Sequence, residues 1–94
     1  MASKVYMTKE ISPERIIKVY DVLQRPATWN VAVKISTGEK WWHNFLRPEL
    51  IKDFVQSVNW TIVECNTAYA WKRNTTEAHR ETIKEHWFLD IAKV

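Results

Sequence analysis

The chain has 94 residues, a length that suits one small domain or part of a larger protein and excludes two full domains. Its composition, 46% hydrophobic and 27% charged, excludes an intrinsically disordered chain. The net charge of +3 comes from Lys and Arg residues scattered along the whole sequence, which excludes the basic stripe typical of nucleic-acid-binding proteins.

The first part of the chain predicts a strand, a helix and a second strand. Residues 4–8 combine β-branched and aromatic side chains over a short span, which favours a strand. Ser12 followed by Pro13 indicates the start of a helix, and Pro26 ends it. Residues 31–36 then alternate between larger apolar side chains and small or polar ones, the pattern of a second strand.

The second half predicts two further helices and two further strands. Pro48 opens a helix whose apolar residues recur on one face, and residues 61–65 predict the third strand. Asn74, with Glu77 in the position of a capping box, indicates a third helix that runs to about His86. A short fourth strand is predicted after this helix, at residues 88–92.

The predicted order of elements is β-α-β-α-β-α-β. Strands that alternate with helices favour an α/β fold with a mostly parallel four-stranded sheet and right-handed crossovers. Residues 1–94 form a single segment of this kind, and the pattern stops on a strand without a closing helix. Because parallel sheets need both faces covered, we expect an incomplete domain.

Cysteine content and hydropathy set the environment that we expect. The one cysteine, Cys65, cannot form a disulfide within the chain and cannot by itself hold zinc or an iron–sulfur cluster. No apolar run approaches the length of a membrane-spanning helix, and residues 1–6 lack a signal-peptide core. We therefore expect a reduced, cytoplasmic setting without a membrane partner.

Tryptophan is abundant and glycine is scarce in this chain. It has six Trp and one Gly, whereas ordinary usage of about 7% would give about six or seven glycines. Every Trp falls where an α/β fold commonly places Gly: just after a predicted helix, in a turn, or in a loop that follows a strand. These residues are Trp29, Trp41, Trp42, Trp60, Trp71 and Trp87.

The preferred interpretation of this exchange is a difference in genetic code. The codon UGA is read as Trp in one variant code and as Gly in another, so a gene that uses UGA for Gly would produce this pattern when translated with the Trp table. Gly38 would then use an ordinary glycine codon. The alternatives are a natural protein that exposes Trp for stacking or for an interface, and deliberate substitution.

With glycine at those positions, three segments resemble a known family. They are residues 31–51, with glycine for Trp41 and Trp42; residues 61–79, with glycine for Trp71; and His86 and Phe88, with glycine for Trp87 between them. Together they resemble the N-terminal part of the bacterial and archaeal domain-of-unknown-function family 362, often described as uncharacterised iron–sulfur-centre proteins. The resemblance covers nearly the whole chain.

The resemblance implies that the chain is the N-terminal third of a longer iron–sulfur-associated protein with an expected redox role. Many family members carry ferredoxin-type Cys motifs for 4Fe–4S clusters beyond this region, so the cofactor is implied for the longer protein and none for these residues. The chain departs from the family pattern at the six Trp, at Ala70 where a further glycine is usual, and at Lys40 beside the paired glycines. As written, we expect no complete active site.

The loop after the second predicted strand carries the first group of candidate ligand-binding residues. Gly38, Glu39, His43 and Asn44 lie between a strand and a helix. With glycines nearby, this loop would offer free backbone N–H groups to an anion, and Glu39 and His43 would add acid–base or ligand roles. The alternative is an ordinary loop with solvated side chains.

The loop after the third predicted strand carries the second group. Asn66, Tyr69 and Arg73 would bind a small polar or anionic ligand, Arg73 through its planar set of donors. Cys65 would act as a nucleophile only beside a base, and a structural role is the favoured interpretation. Lys34 either pairs with Glu64 at this edge or faces solvent.

Two histidines and a group of tryptophans are further candidate features. His79 and His86 fall on one face of the third predicted helix, and we expect both to be solvated. A stacking surface for single-stranded nucleic acid needs aromatic side chains with basic neighbours, and Trp41, Trp71 and Lys72, together with Trp42, are its best candidates. Such a nucleic-acid or aromatic-ligand module is the alternative function, and nucleic acid is the less favoured partner.

Overall fold

A computed structural model describes residues 2–94, which form three α-helices, two short β-strands and one 3-10 helix. In chain order they are α1 (Pro13–Asp21), β1 (Ala32–Lys34), α2 (Pro48–Ser57), β2 (Thr61–Val63), α3 (Thr76–Glu85) and the 3-10 helix (Phe88–Asp90). Within residues 2–94, no helix has the length and apolar character needed to cross a membrane.

The two strands lie side by side and run parallel, with α2 as the connection between them. Ala32 is opposite Thr61, and Lys34 is opposite Val63. On the other side of β2, Lys93 forms a single parallel bridge with Thr61. The part of the chain that the structure describes therefore has a two-stranded sheet, and the four-stranded sheet predicted from the sequence is wrong.

The predicted strand over residues 4–8 is not formed. Val5 is 90% exposed and Met7 is 80% exposed, so neither side chain gains the burial that normally stabilises a strand. A strand also needs a neighbouring backbone edge, and the sheet of residues 2–94 consists of β1 and β2 alone. Composition favoured a strand here, but no tertiary partner supports one.

The predicted strand over residues 88–92 is replaced by a 3-10 helix and the residues that follow it. Phe88 is fully buried and Ile91 is 8% exposed, whereas Asp90 is exposed. This spacing matches a helical turn, because a strand would bury alternate residues on one face. The Ile91 N–H donates to the Phe88 carbonyl at 3.2 Å, which closes that turn.

Side-chain caps define where two of the helices begin. The Ser12 hydroxyl accepts from the Arg15 N–H at 3.2 Å, as the sequence predicts for α1. At α3 the cap is Thr75, whose hydroxyl accepts from the Ala78 N–H at 3.2 Å. The predicted cap at Asn74 is therefore one residue too early.

The core lies where α2, β2, α3 and the 3-10 helix meet. Its buried hydrophobic side chains are Ile51, Val55, Ile62, Ile83, Phe88 and Ile91. Helix α1 packs against α2, where the Tyr20 and Phe54 rings lie 5.0 Å apart. Trp60 completes this contact, with its ring 4.1 Å from that of Phe54. A core of this size leaves stability sensitive to single substitutions.

Three of the six tryptophans adopt the left-handed backbone conformation that favours glycine. The φ angles are 73° at Trp29, 69° at Trp41 and 65° at Trp87. At the end of α2 the left-handed residue is Asn59, with φ of 53°, and not Trp60 as expected. For a non-glycine residue this conformation costs about 1–2 kcal/mol.

Gly38 occupies a position that no other residue suits. Its φ angle is 89°, and a Cβ atom built there would lie 2.5 Å from Cβ of Phe45. We expect Gly38→Ala to lower the free energy of unfolding by about 1–3 kcal/mol, because it adds a clash to a strained backbone. Urea unfolding measures this loss, and Asn44→Ala, at an exposed position in the same loop, is the control. Equal losses of unfolding free energy in the two variants would contradict the prediction.

Candidate functional site

The loops that follow the two strands meet at the carboxyl end of the sheet, and Arg73 joins them. Its Nη2 lies 2.5 Å from Oε1 of Glu39, in the loop 35–47, and its Nη1 lies 2.6 Å from Oε1 of Glu64, in the loop 64–75. Arg73 is only 8% exposed. We call the surrounding set the polar cluster: Thr37, Glu39, Glu64, Asn66, Tyr69, Arg73 and His79.

Glu64 accepts more hydrogen bonds than any other member of the polar cluster. It comes directly after β2, so the strand end sets its position. Its Oε2 accepts from the Thr37 backbone N–H at 3.1 Å and from the Thr37 hydroxyl at 2.5 Å. Nε2 of His79 lies 3.0 Å from the same oxygen. The Glu64 carboxylate therefore connects both loops to α3.

The two histidines of the C-terminal part are buried, and the expectation that they are solvated is wrong. His79 is 3% exposed, and its Nδ1 lies 3.0 Å from Oδ1 of Asn66. His86 is 6% exposed, and its Nδ1 donates to the Thr37 carbonyl at 2.7 Å. The His86 ring also stacks on Phe45, with ring centres 3.9 Å apart. Hydrogen bonds compensate the burial of both imidazoles.

The electrostatics of the polar cluster keep both ends of the Arg73–Glu39 pair charged. The hydrogen bond from Arg73 lowers the pKa of Glu39 below its ordinary value, against the opposing effect of burial, and Tyr69 adds to the lowering. Burial works against the charge of Arg73, but hydrogen bonds with Glu39 and Tyr69 outweigh it and raise the pKa of Arg73. Two carboxylates thus surround one guanidinium.

Two buried atoms of the polar cluster have no hydrogen-bond partner among residues 2–94. They are Nε of Arg73, which carries a donor hydrogen, and Oε2 of Glu39, which is an acceptor. A buried polar atom without a partner carries a free-energy cost of about 1–3 kcal/mol. The pair could therefore satisfy a ligand group, or a water molecule, that accepts one hydrogen bond and donates another.

The structure brings together four of the eight candidate residues from the sequence. Glu39, Asn66, Tyr69 and Arg73 all belong to the polar cluster, and Gly38 lies buried beside it. Three candidates are exposed, and within residues 2–94 their side chains form no hydrogen bond or ion pair with the cluster: His43, Asn44 and Cys65.

Three buried contributors to the polar cluster are not predicted from the sequence. Thr37, Glu64 and His79 hold the cluster together, but their roles depend on partners far away in the chain. Lys34 is exposed, and Glu64 pairs with Arg73 instead. The sequence does hold one signal for Glu64: it lies near the end of a predicted strand, at the edge of the sheet where the loops meet and where ligand-binding residues commonly lie.

A second feature of the same loops is an exposed aromatic surface. The rings of Trp41 and Trp71 lie 6.1 Å apart and nearly perpendicular. Trp41 is 66% exposed, and Nζ of Lys40 and Nζ of Lys72 each lie 5.8 Å from its ring centre. Lys40 also pairs with Glu85 at 3.0 Å, which leaves Lys72 as the better-placed cation for a ligand. We call Trp41, Trp71 and Lys72 the tryptophan surface.

The cysteine content of this chain does not suit an iron–sulfur cluster. Cys65 is the one cysteine, and cluster ligation needs several thiolates. Among residues 2–94, no group of three or more His, Cys, Asp or Glu side chains is placed to hold a metal ion.

The fold and the site together define a small unit with two parallel strands joined by a helix and a polar cluster at the carboxyl ends of those strands. Comparison with protein-family models, with curated proteins and with solved structures finds no match to this chain. The physical chemistry of the polar cluster and of the tryptophan surface therefore carries the functional argument.

The Glu39–Arg73 pair predicts a pH dependence of stability. The lowered pKa of Glu39 means that its stabilising effect is fully present above the ordinary Glu pKa of about 4.3 and is lost as the pH falls through the lowered value. We expect Glu39→Gln to remove that part of the acid dependence. Urea unfolding between pH 7 and pH 3 measures it, and a curve unchanged from the parent chain would contradict the assignment.

Proposed function

We propose that the chain is the first segment of a larger cytoplasmic α/β protein of the kind that the resemblance to family 362 implies. In that protein the polar cluster contributes to the binding of a small polar ligand, and iron–sulfur clusters would belong to the rest of the polypeptide. The observation that carries the ligand proposal is that Nε of Arg73 and Oε2 of Glu39, on two residues joined by an ion pair, are both buried and unpaired. Ligand sites in open parallel sheets lie at this edge.

The charges around Arg73 favour a neutral polar ligand over an anion. Glu39 and Glu64 already neutralise the guanidinium, and an added anion would lie beside both carboxylates. A carboxamide suits the two unpaired atoms, because its carbonyl accepts from Nε–H and its N–H donates to the carboxylate oxygen. Both atoms are buried, so the side chains around them must rearrange to admit the ligand.

The test is an NMR titration of the Nε–H resonance of Arg73 in the 15N-labelled chain. The probes are acetamide, acetate and inorganic phosphate at equal ionic strength. We expect acetamide to shift the resonance and to saturate, and we expect Glu39→Gln to weaken its binding by about tenfold because a charged acceptor is lost. A larger shift with phosphate, or no shift with acetamide, would contradict the proposal. Backbone amide spectra control for unfolding.

A second candidate function rests on the tryptophan surface. Its two rings come from different loops and converge beside Lys72, as a stacking platform for single-stranded nucleic acid requires. Binding of oligothymidylate, followed by tryptophan fluorescence, should weaken with salt, and Lys72→Gln should reduce the log–log salt slope by about 0.7. Trp29→Phe is the matched control, because Trp29 is 90% exposed and outside this surface.

The coding DNA separates the two candidates. If the six Trp codons read UGA and the frame continues into a Cys-rich region, the glycine version of a longer protein is supported. If the codons read UGG and a stop follows Val94, the tryptophans are genuine and the tryptophan surface becomes the leading candidate.

A further inference from the structure

The free edge of β2 borders a groove, and we infer that this groove seats an extended segment that continues in line with Lys93 and Val94, parallel to β2. The inference rests on the proposed function, because it treats the chain as part of a larger α/β protein. The inferred strand begins after the 3-10 helix, at Lys93, and is therefore different from the strand predicted over residues 88–92. The occupant is a β-strand attached to Val94, recognised through its backbone.

The hydrogen bonds of β2 show which backbone groups face the groove. Thr61 N–H donates to the Val31 carbonyl at 3.1 Å, and Val63 carbonyl accepts from Ile35 N–H at 3.3 Å, so these residues use the β1 side. In a parallel ladder the alternate residues face the opposite side. The carbonyl of Ile62 and the N–H of Glu64 therefore point towards the groove.

The first step of a ladder on that side is already present. The N–H of Ile62 donates to the Lys93 carbonyl at 2.8 Å, and Lys93 lies in parallel register with Thr61. Continuing this register places Val94 opposite Ile62 and places the next position opposite Val63. The following position would lie opposite Glu64, with its side chain on the same face as the buried Ile62.

The groove has the lining expected of a strand site. Its volume is about 290 Å³, and it runs along β2 beneath α3. Ile83 and Val94 line its apolar part, while His79 and Arg80 line the part near the polar cluster. Unpaired backbone groups along an open edge are the usual receptor for strand addition. A small ligand would leave the evenly spaced backbone groups of the edge unpaired.

The test appends four residues, Thr-Val-Thr-Val, after Val94. In the inferred register, the first appended N–H donates to the Ile62 carbonyl, and the first appended carbonyl accepts from the Glu64 N–H. The first Val then faces the interior below α3. We expect hydrogen exchange of the Glu64 amide to slow by about tenfold, as the gain of one or two backbone hydrogen bonds implies.

Proline provides a matched pair of controls. Proline at the first appended position removes the N–H that bonds Ile62 and should abolish most of the protection. Proline at the second appended position removes an N–H that faces away from β2 and should preserve it. Unchanged exchange at Glu64, or equal protection from both proline variants, would overturn the inference.

The outcome is separable from the outcome of the ligand proposal. Slowed exchange at Glu64 supports the strand site whether or not acetamide shifts the Arg73 resonance. An acetamide shift with unchanged exchange supports the ligand proposal and overturns the strand site.

Discussion

Replacing Glu64 by glutamine is expected to lower the free energy of unfolding by about 3–5 kcal/mol, because it leaves the buried Arg73 without one of its two carboxylates. The Glu64 side chain is only 7% exposed, so water has little access to Arg73 and cannot compensate for the lost carboxylate charge. The Thr37 hydroxyl and N–H lose an ionised acceptor at the same time. Urea unfolding at pH 7, followed by circular dichroism, measures the effect.

The control for this prediction is Asp53→Asn, an exposed carboxylate on α2 that should change stability by less than about 0.5 kcal/mol. A double variant, Glu64→Gln with Arg73→Gln, should cost less than the sum of its two single changes, since both buried charges are then removed. Equal losses for Glu64→Gln and Asp53→Asn would show that the polar cluster does not hold the loops together.

Replacing the left-handed tryptophans by glycine is expected to stabilise the chain. Trp29→Gly and Trp87→Gly should each add about 1–2 kcal/mol, because glycine adopts their φ angles without strain. Trp41→Gly should add less, since the Trp41 ring also contacts Trp71 and lies near Lys72. The combined gain is read from the midpoint of urea unfolding.

The remaining tryptophans are the internal controls for that prediction. Trp42 is 60% exposed and its backbone is not left-handed, so Trp42→Gly should bring no gain. Trp60→Gly should lower stability by about 3–5 kcal/mol, because the Trp60 ring packs against Phe54 and Tyr20. A gain from Trp42→Gly equal to that from Trp29→Gly would contradict the strain argument.

The backbone angles favour glycine at three of the six tryptophan positions, as the genetic-code hypothesis requires, but not at Trp60. Glycine at Trp29, Trp41 and Trp87 would remove strain, and Trp41 occupies the third position of a turn closed by the Trp42 N–H and the Glu39 carbonyl at 3.1 Å. Trp60 instead contributes to a hydrophobic contact. The hypothesis therefore stays a proposal, and the codons test it.

Local sequence determined much of the secondary structure of this protein. Ser12 and Pro13 place the start of α1, since a hydroxyl cap and a fixed proline φ act within one helical turn. Alternation around Val33 indicates β1, and residues 61–65 indicate β2; the two strands pair in parallel. Glu39, Asn66, Tyr69 and Arg73 were also recognisable as candidates, because loops after parallel strands converge at one edge.

Only the tertiary structure decided which segments found a partner. Residues 4–8 and 88–92 have strand-like composition, but a strand forms only where another backbone edge lies alongside it. His79 is buried, and its hydrogen-bond partners Glu64 and Asn66 come from another part of the chain. The sequence of α3 alone therefore does not predict these partners. Burial and hydrogen-bond partners between distant residues depend on how the helices pack, and local pattern does not encode that packing.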